Sequence, residues 1–160
     1  MILPFSLPIP KDHNDRPYWN GQCFILDNKS VPVLEYSENF RGWSDYLTFL
    51  HQEAVGASHP IDVAARRDAL LQVNNLMPTH GSVIMEIGCS SGYLIRDLSS
   101  AFNQSVIIGA DVVKEPLYQL AKSLNGIPLI RFDLLKSPLP DETVDILIML
   151  NVLEHIDDDR

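Results

Sequence analysis

The sequence predicts an α/β fold: an open sheet of parallel strands with helices on both faces, preceded by a small N-terminal hairpin and helix. Three observations carry this expectation. Apolar runs at 83–87, 106–110, 127–132 and 144–150 alternate with segments of helical spacing, the rhythm of repeated βαβ units. The first run breaks at Gly88 and leads through Gly92 into a helix; glycine supplies the sharp turn because it takes φ > 0 freely. Each run ends in a polar residue, Glu86, Asp111, Asp133 and Asn151 in turn. Ligands of open parallel sheets bind beyond that carboxyl edge.

Composition narrows the function. The chain has 160 residues, 46% of them apolar, and a formal net charge of −9, enough apolar content for a real core. An acidic chain lacks the clustered Lys and Arg of a large nucleic-acid footprint, so no nucleic-acid partner is expected. The run Asp157-Asp158-Asp159 reads as a solvated acidic turn. Cys23 and Cys89 stand apart without C-x-x-C spacing, so neither a disulfide framework nor a metal site is expected, and the cytoplasm is the expected location. No stretch reaches the roughly 18 apolar residues of a membrane span. Pro4, Pro8 and Pro10 break the start, which has no basic leader, so neither a secretion signal nor a membrane partner is expected.

Taken in order, residues 1–20 are proline-rich and polar and read as an extended arm or tail. Residues 23–26 and 31–34, separated by Asp27-Asn28-Lys29-Ser30, suggest a hairpin whose second strand is kept to an edge by Pro32. Phe40, Trp43, Leu47 and Leu50 fall at helical spacing, with Tyr46 and Phe49 beside them. That helix either packs on the domain by its aromatic stripe or forms a lid; packing is the preferred reading. A loop at 56–60 leads to Asp62 as N-cap of a helix with Val63, Leu70, Val73 and Met77 on one face. The expected division is therefore an arm, hairpin and helix over 1–55 and a ligand-binding domain over 56–160.

After the glycine turn, Leu94, Leu98 and Ala101 make the inner face of a helix ending near Phe102. Asp111 ends the second strand 19 residues beyond Gly92, near the offset at which an acid reaches the ribose hydroxyls of a nucleoside. Pro116 opens the next helix, with Leu117, Leu120, Ala121 and Leu124 inward and Gly126 at its end. Asp133 and Leu134 follow the third strand, and the fourth, nearly all apolar, delivers Asn151, Glu154 and His155. Glu86 is the most discriminating residue. A pyrophosphate would be repelled by a carboxylate at the glycine turn, whereas a ligand bearing an ammonium and a sulfonium would be favoured. S-adenosylmethionine is such a ligand.

From about residue 62 onward the chain resembles the class I S-adenosylmethionine-dependent methyltransferases of the small-molecule, type 11-like group, which have a Rossmann-like fold. The resemblance lies in Met85-Glu86-Ile87-Gly88-Cys89-Ser90-Ser91-Gly92, Gly109-Ala110-Asp111-Val112, Phe132-Asp133-Leu134 with Leu139-Pro140-Asp141, and Val144-Asp145-Ile146 through Asn151-Val152-Leu153-Glu154-His155. The family usually has glycine where this chain has Ser90. The resemblance implies a sheet order of third, second, first and fourth strand. It implies that Glu86, Gly88, Cys89, Ser90 and Gly92 hold the methionine portion, and that Asp111 takes the ribose hydroxyls. Val112 would pack near the adenine, Asp133 and Leu134 would meet it, and Asn151 would flank the sulfonium. S-adenosylhomocysteine would be the product. The family's sheet normally continues past the fourth strand, so the chain is expected either to be an N-terminal fragment, inactive alone, or to be completed by another chain, with an exposed fourth strand open to self-association or partner pairing.

Methyl transfer needs alignment and water exclusion more than proton transfer. His155 is the one candidate base, with a helix-start histidine bonded to backbone as its competing reading. The leading expectation is a methyltransferase acting on a small-molecule acceptor. A non-catalytic subunit of the same fold and a nicotinamide oxidoreductase are the alternatives, the latter disfavoured by Glu86.

Overall fold

Two sheets share the chain in this computed structural model, which describes residues 2–37 and 44–156, without the side chains of 51–55. The smaller sheet comes first. Strands β1 (Tyr18–Trp19), β2 (Phe24–Leu26) and β3 (Lys29–Val31) pair antiparallel in that order. Asp27 and Asn28 join β2 to β3 with φ of 48° and 61°. A two-residue loop with both residues left-handed matches strand twist, and Asn and Asp enter that region at least cost among residues with side chains. Asp27 also gathers the preceding arm, pairing with His13 Nδ1 at 2.7 Å and accepting the N–H groups of Asn14 and Asp15.

The hairpin is shorter than the sequence suggests. The chain leaves it at Pro32, which has no N–H for a ladder, and Leu34–Glu35 becomes β4 of the larger sheet. Next come α1 (Asp45–Val55) and α2 (Pro60–Asn75). Helix α2 starts before the expected Asp62 cap, with His59 as N-cap and Pro60 in the first turn, where its fixed φ suits the helix. Asp62 falls in that same turn, where a negative charge meets the positive end of the helix dipole.

The larger sheet adds β5 (Val83–Ile87), β6 (Val106–Asp111), β7 (Leu129–Arg131) and β8 (Ile146–Met149), all parallel. Helix α3 (Tyr93–Ala101) connects β5 to β6, and α4 (Lys114–Ser123) connects β6 to β7. The order across the sheet is β4-β7-β6-β5-β8. The four expected strands lie in the succession β7-β6-β5-β8, and a fifth, β4, which the sequence placed in the hairpin, is added outside β7. Strand β8 has a neighbour only on one side among the described residues.

The sheet's faces are covered by different material, which corrects the expectation of helices on both. Ile84, Ile107, Leu129 and Ile148 pack with Ala69 and Val73 of α2, Leu94, Ile95 and Leu98 of α3, and Leu117 and Leu120 of α4. Side chains alternate along a strand, so Val83, Met85, Ile87, Val106, Ile108 and Ile130 point the other way. There they meet Leu7, Trp19, Phe24 and Leu26 of the arm and hairpin, and no α-helical residue among those described joins this cluster. Trp19 and Phe24 stack edge to face with centroids 4.9 Å apart. Burying each such side chain contributes on the order of 2 kcal/mol, so the arm belongs to the core and is no tail. The segment before residue 55 therefore supplies both a strand and the covering layer of the larger sheet.

Helix α1 also departs from expectation. Phe40 and Trp43 lie outside the described residues, while Tyr46, Leu47, Phe49 and Leu50 are exposed and Thr48 is buried. The helix is anchored by charge at its first turn. Asp45 Oδ1 accepts the N–H groups of Lys114 at 3.0 Å and Glu115 at 3.3 Å. It thereby caps α4, whose own N-cap, Val113, has no side-chain acceptor.

Candidate functional site

Because the strands of the larger sheet run parallel, their carboxyl ends share one rim. Gly88 turns the chain there with φ 79°, and a Cβ built on it would lie 2.4 Å from Val152 Cγ2. The segment after β8 is therefore seated directly over the turn, which only glycine permits. Ser90 follows with φ 42°, a left-handed conformation that explains why glycine is the usual residue at this point of the family loop. Gly92, φ 72°, has a different neighbour: a Cβ there would meet Leu120 Cδ1 at 2.4 Å. It admits Leu120 of α4 to the start of α3. The N-cap of α3, Gly92, has no side chain to cap it; the Ile95 N–H of the first turn instead faces the Glu86 carboxyl, which stands at the positive end of the helix dipole.

Cys89 stands between Gly88 and Ser90 in the turn. Its side chain is buried in the core with α3 and faces Gly109. Burial, with the neighbouring Asp111 and Glu86, pushes the thiol well above its ordinary range, so it is inert, and only the Cys89 backbone faces the turn.

Glu86 and Asp111 are both buried, 5% and 7% exposed, and both lie on the helix-covered face, at even spacing from Ile84 and Ile107. Asp111 is well supplied with donors. Its Oδ2 accepts the Ser90 N–H at 2.8 Å, and its Oδ1 accepts those of Val112 at 2.7 Å and Val113 at 3.2 Å. It ties the glycine loop to the start of α4. Of roughly four lone-pair positions on a carboxylate, three are used by these bonds. Burial still outweighs those bonds and holds its pKa above the ordinary value.

Glu86 has the opposite balance. Its Oε2 is buried without a hydrogen-bond partner. Burial, then the charges of Asp111 and Asp97, raises its pKa well above the ordinary value, with the Ile95 N–H and then Arg66 opposing. The sequence reading did not single out Arg66, which projects from α2 toward α3. Its Nη2 donates to Ala57 O at 3.1 Å, its Nε lies 3.2 Å from Asp97 Oδ2 without hydrogen-bond geometry, and its guanidinium sits 5.2 Å from the Tyr93 ring centroid. Nη1 is buried without a partner. A sequence signal existed: Arg66 shares the i, i+3, i+7 stripe of Ala69 and Val73, an inward position that rarely carries a charge without purpose.

The remaining residues line the same rim. Val112 is half-buried. Asp133 caps the short 3₁₀ turn Leu134–Lys136 through Oδ1 to the Leu135 N–H at 3.0 Å, and Leu134 is half-buried beside it. Asn151 is exposed with φ 54°. His155 closes the 3₁₀ turn Leu153–His155, exposed, its N–H donating to Val152 O at 3.0 Å. Among the described residues, no group of three or more His, Cys, Asp or Glu is placed to hold a metal ion, and no helix is long and apolar enough to cross a membrane.

Fold and rim together define a class: an α/β protein whose parallel sheet carries a ligand site at a glycine turn flanked by strand-end acids. Residues 85–160 match the model of a family described as a methyltransferase domain. This part of the chain is similar to the class I S-adenosylmethionine-dependent methyltransferases of the type 11 group. The arm, the hairpin, β4, α1 and α2 precede the matched segment. No curated protein matches the chain.

Proposed function

We propose that this rim binds S-adenosylmethionine and that the chain serves transfer of its methyl group to a small-molecule acceptor. The observation that carries the reading is the pair of unmet buried groups, Glu86 Oε2 and Arg66 Nη1. An acceptor atom and a donor atom without partners, electrostatically coupled and beside the start of α3, fit a zwitterion: its ammonium on Glu86 and its carboxylate on Arg66. The amino-acid end of the methyl donor has that chemistry, and a nicotinamide dinucleotide does not.

The other residues follow from their places. Gly88, Ser90 and Gly92 would shape the turn under the methionine chain, and Asp111 would accept one ribose hydroxyl. Val112 and Leu134 would flank the base, Asp133 would accept its exocyclic amine, and Asn151 would border the sulfonium. When bound, the donor supplies a methyl group already activated by the sulfonium. The chain's own work is to hold that group and keep water away. His155 is the candidate base for an acceptor that must lose a proton. The side of β8 that has no neighbour among the described residues, where Leu147 is exposed, is where we place pairing with a second copy; a monomer at all concentrations in sedimentation would refute that part.

Calorimetric titration of the full chain tests the function. S-adenosylhomocysteine binds and NAD does not, and Arg66→Met weakens the first about tenfold. Binding of NAD in preference would overturn the reading.

A further inference from the structure

We propose that Arg131, Glu35 and Ser37 form a clamp that sets the slot for the donor's base, so that the segment ahead of the matched domain governs base discrimination. This rests on the reading that Val112, Asp133 and Leu134 receive the base. Arg131, the last residue of β7, is only 7% exposed. Its Nε donates to Val112 O at 2.9 Å, on one wall of the slot. Its Nη1 donates to Ser37 O at 2.7 Å and to Glu35 Oε2 at 2.9 Å. Ser37 Oγ in turn accepts the Asp133 N–H at 2.7 Å, on the opposite wall.

A guanidinium is planar and fixes the directions of its donors. One buried side chain thereby ties Val112 to Asp133 through a single serine. Glu35 steadies the cation and is itself held by the Tyr118 hydroxyl at 2.6 Å and Lys114 Nζ at 3.1 Å. Burial alone would raise the Glu35 carboxyl; the hydrogen bonds from Tyr118, Arg131 and Lys114 outweigh it and leave it below its ordinary value. The strand pairing explains how Ser37 arrives. Strand β4 lies parallel to β7 with Glu35 opposite Arg131, and the Tyr36 N–H donates to Arg131 O at 2.8 Å. The next residue, Ser37, is thus delivered to the backbone of Asp133. These residues act through Asp133 and Val112 and are positioning residues. Recognition that depends on where Asp133 stands weakens when the support behind it is loosened.

The experiment compares S-adenosylhomocysteine with S-inosylhomocysteine, in which a carbonyl replaces the exocyclic amine, by calorimetry on the full chain. The native chain prefers the adenine compound by about tenfold or more. Ser37→Ala lowers adenine affinity about five- to tenfold and shrinks the preference accordingly, with the melting temperature within about 2 °C of native. Ser37→Thr, which keeps the hydroxyl, restores the preference. A preference unchanged in Ser37→Ala, or an equal loss for both compounds, overturns the clamp while leaving the donor site standing. Binding of neither compound by the native chain overturns both.

Discussion

Glu86 and Asp111 occupy neighbouring strands, are buried to nearly the same degree and carry the same functional group, yet they stand in opposite states. Asp111 is surrounded by three backbone N–H donors. Glu86 keeps an oxygen with none. Burial of a polar group costs free energy unless hydrogen bonds compensate. A buried carboxylate with its bonds made is architecture; one left short is a place where a ligand can restore what folding removed.

The largest expected effect comes from erasing the unmet charge. Glu86→Gln should cost about 100-fold in S-adenosylhomocysteine affinity, because a buried ammonium loses its counter-charge. The same change should raise the melting temperature of the unliganded protein. Calorimetry and thermal denaturation of one sample check both directions. If affinity and stability fell together, Glu86 would be a second Asp111.

The converse change comes next. In Asp111→Asn the amide cannot accept at both ends, so one N–H of Ser90, Val112 or Val113 faces a donor. Loss of about 2 kcal/mol of stability is expected, read as a lower urea midpoint with unchanged slope.

A pH series sharpens the contrast. The folded-state pKa of Glu86 is raised, so the unfolded chain ionises first. The stability of the unliganded protein therefore falls as pH climbs from the ordinary carboxylate value toward the folded one, and the cost is absent below that window. Asp111, also raised, adds to the same slope. Glu35, lowered, acts oppositely: its contribution is present above the ordinary value and is lost as pH falls through its folded value. Glu86→Gln should flatten the first slope, and donor binding within that window should release protons, measurable as a dependence of binding heat on buffer ionisation enthalpy. The smallest effect is expected at Ser90. Replacing this left-handed residue by glycine should raise stability by about 1 kcal/mol or less, seen as a small rise in melting temperature.

What the sequence disclosed follows from what local pattern can encode. The turn at Gly88, the buried runs of β5 and β6 and the inward leucines of α3 and α4 each depend on near neighbours, and each was legible. Strand β4 has only Leu34 and Glu35, too short to show any period, and its partner is distant in the chain. Helical spacing marks an apolar stripe but not which side of a sheet receives it, so the arm and hairpin over the second face were missed. The aromatic residues of α1 looked like a packing stripe, yet what holds its start is Asp45 on α4, a pairing no local pattern announces. At the rim, strand-end acids were readable as residues. The division between Asp111, supplied at both oxygens, and Glu86, left short at Oε2, was not, because it depends on where backbone N–H groups point after folding.

The pairing of β4 with β7 has a consequence during synthesis. Arg131 follows Glu35 by 96 residues, and a ribosome adding about 5–20 residues per second takes roughly 5–20 s to span that gap. For that interval Leu7, Trp19 and Phe24 have emerged without the sheet that later shelters them. Through this window the nascent chain carries these apolar side chains unprotected, which makes residues 7–26 a natural point of attention for chaperones.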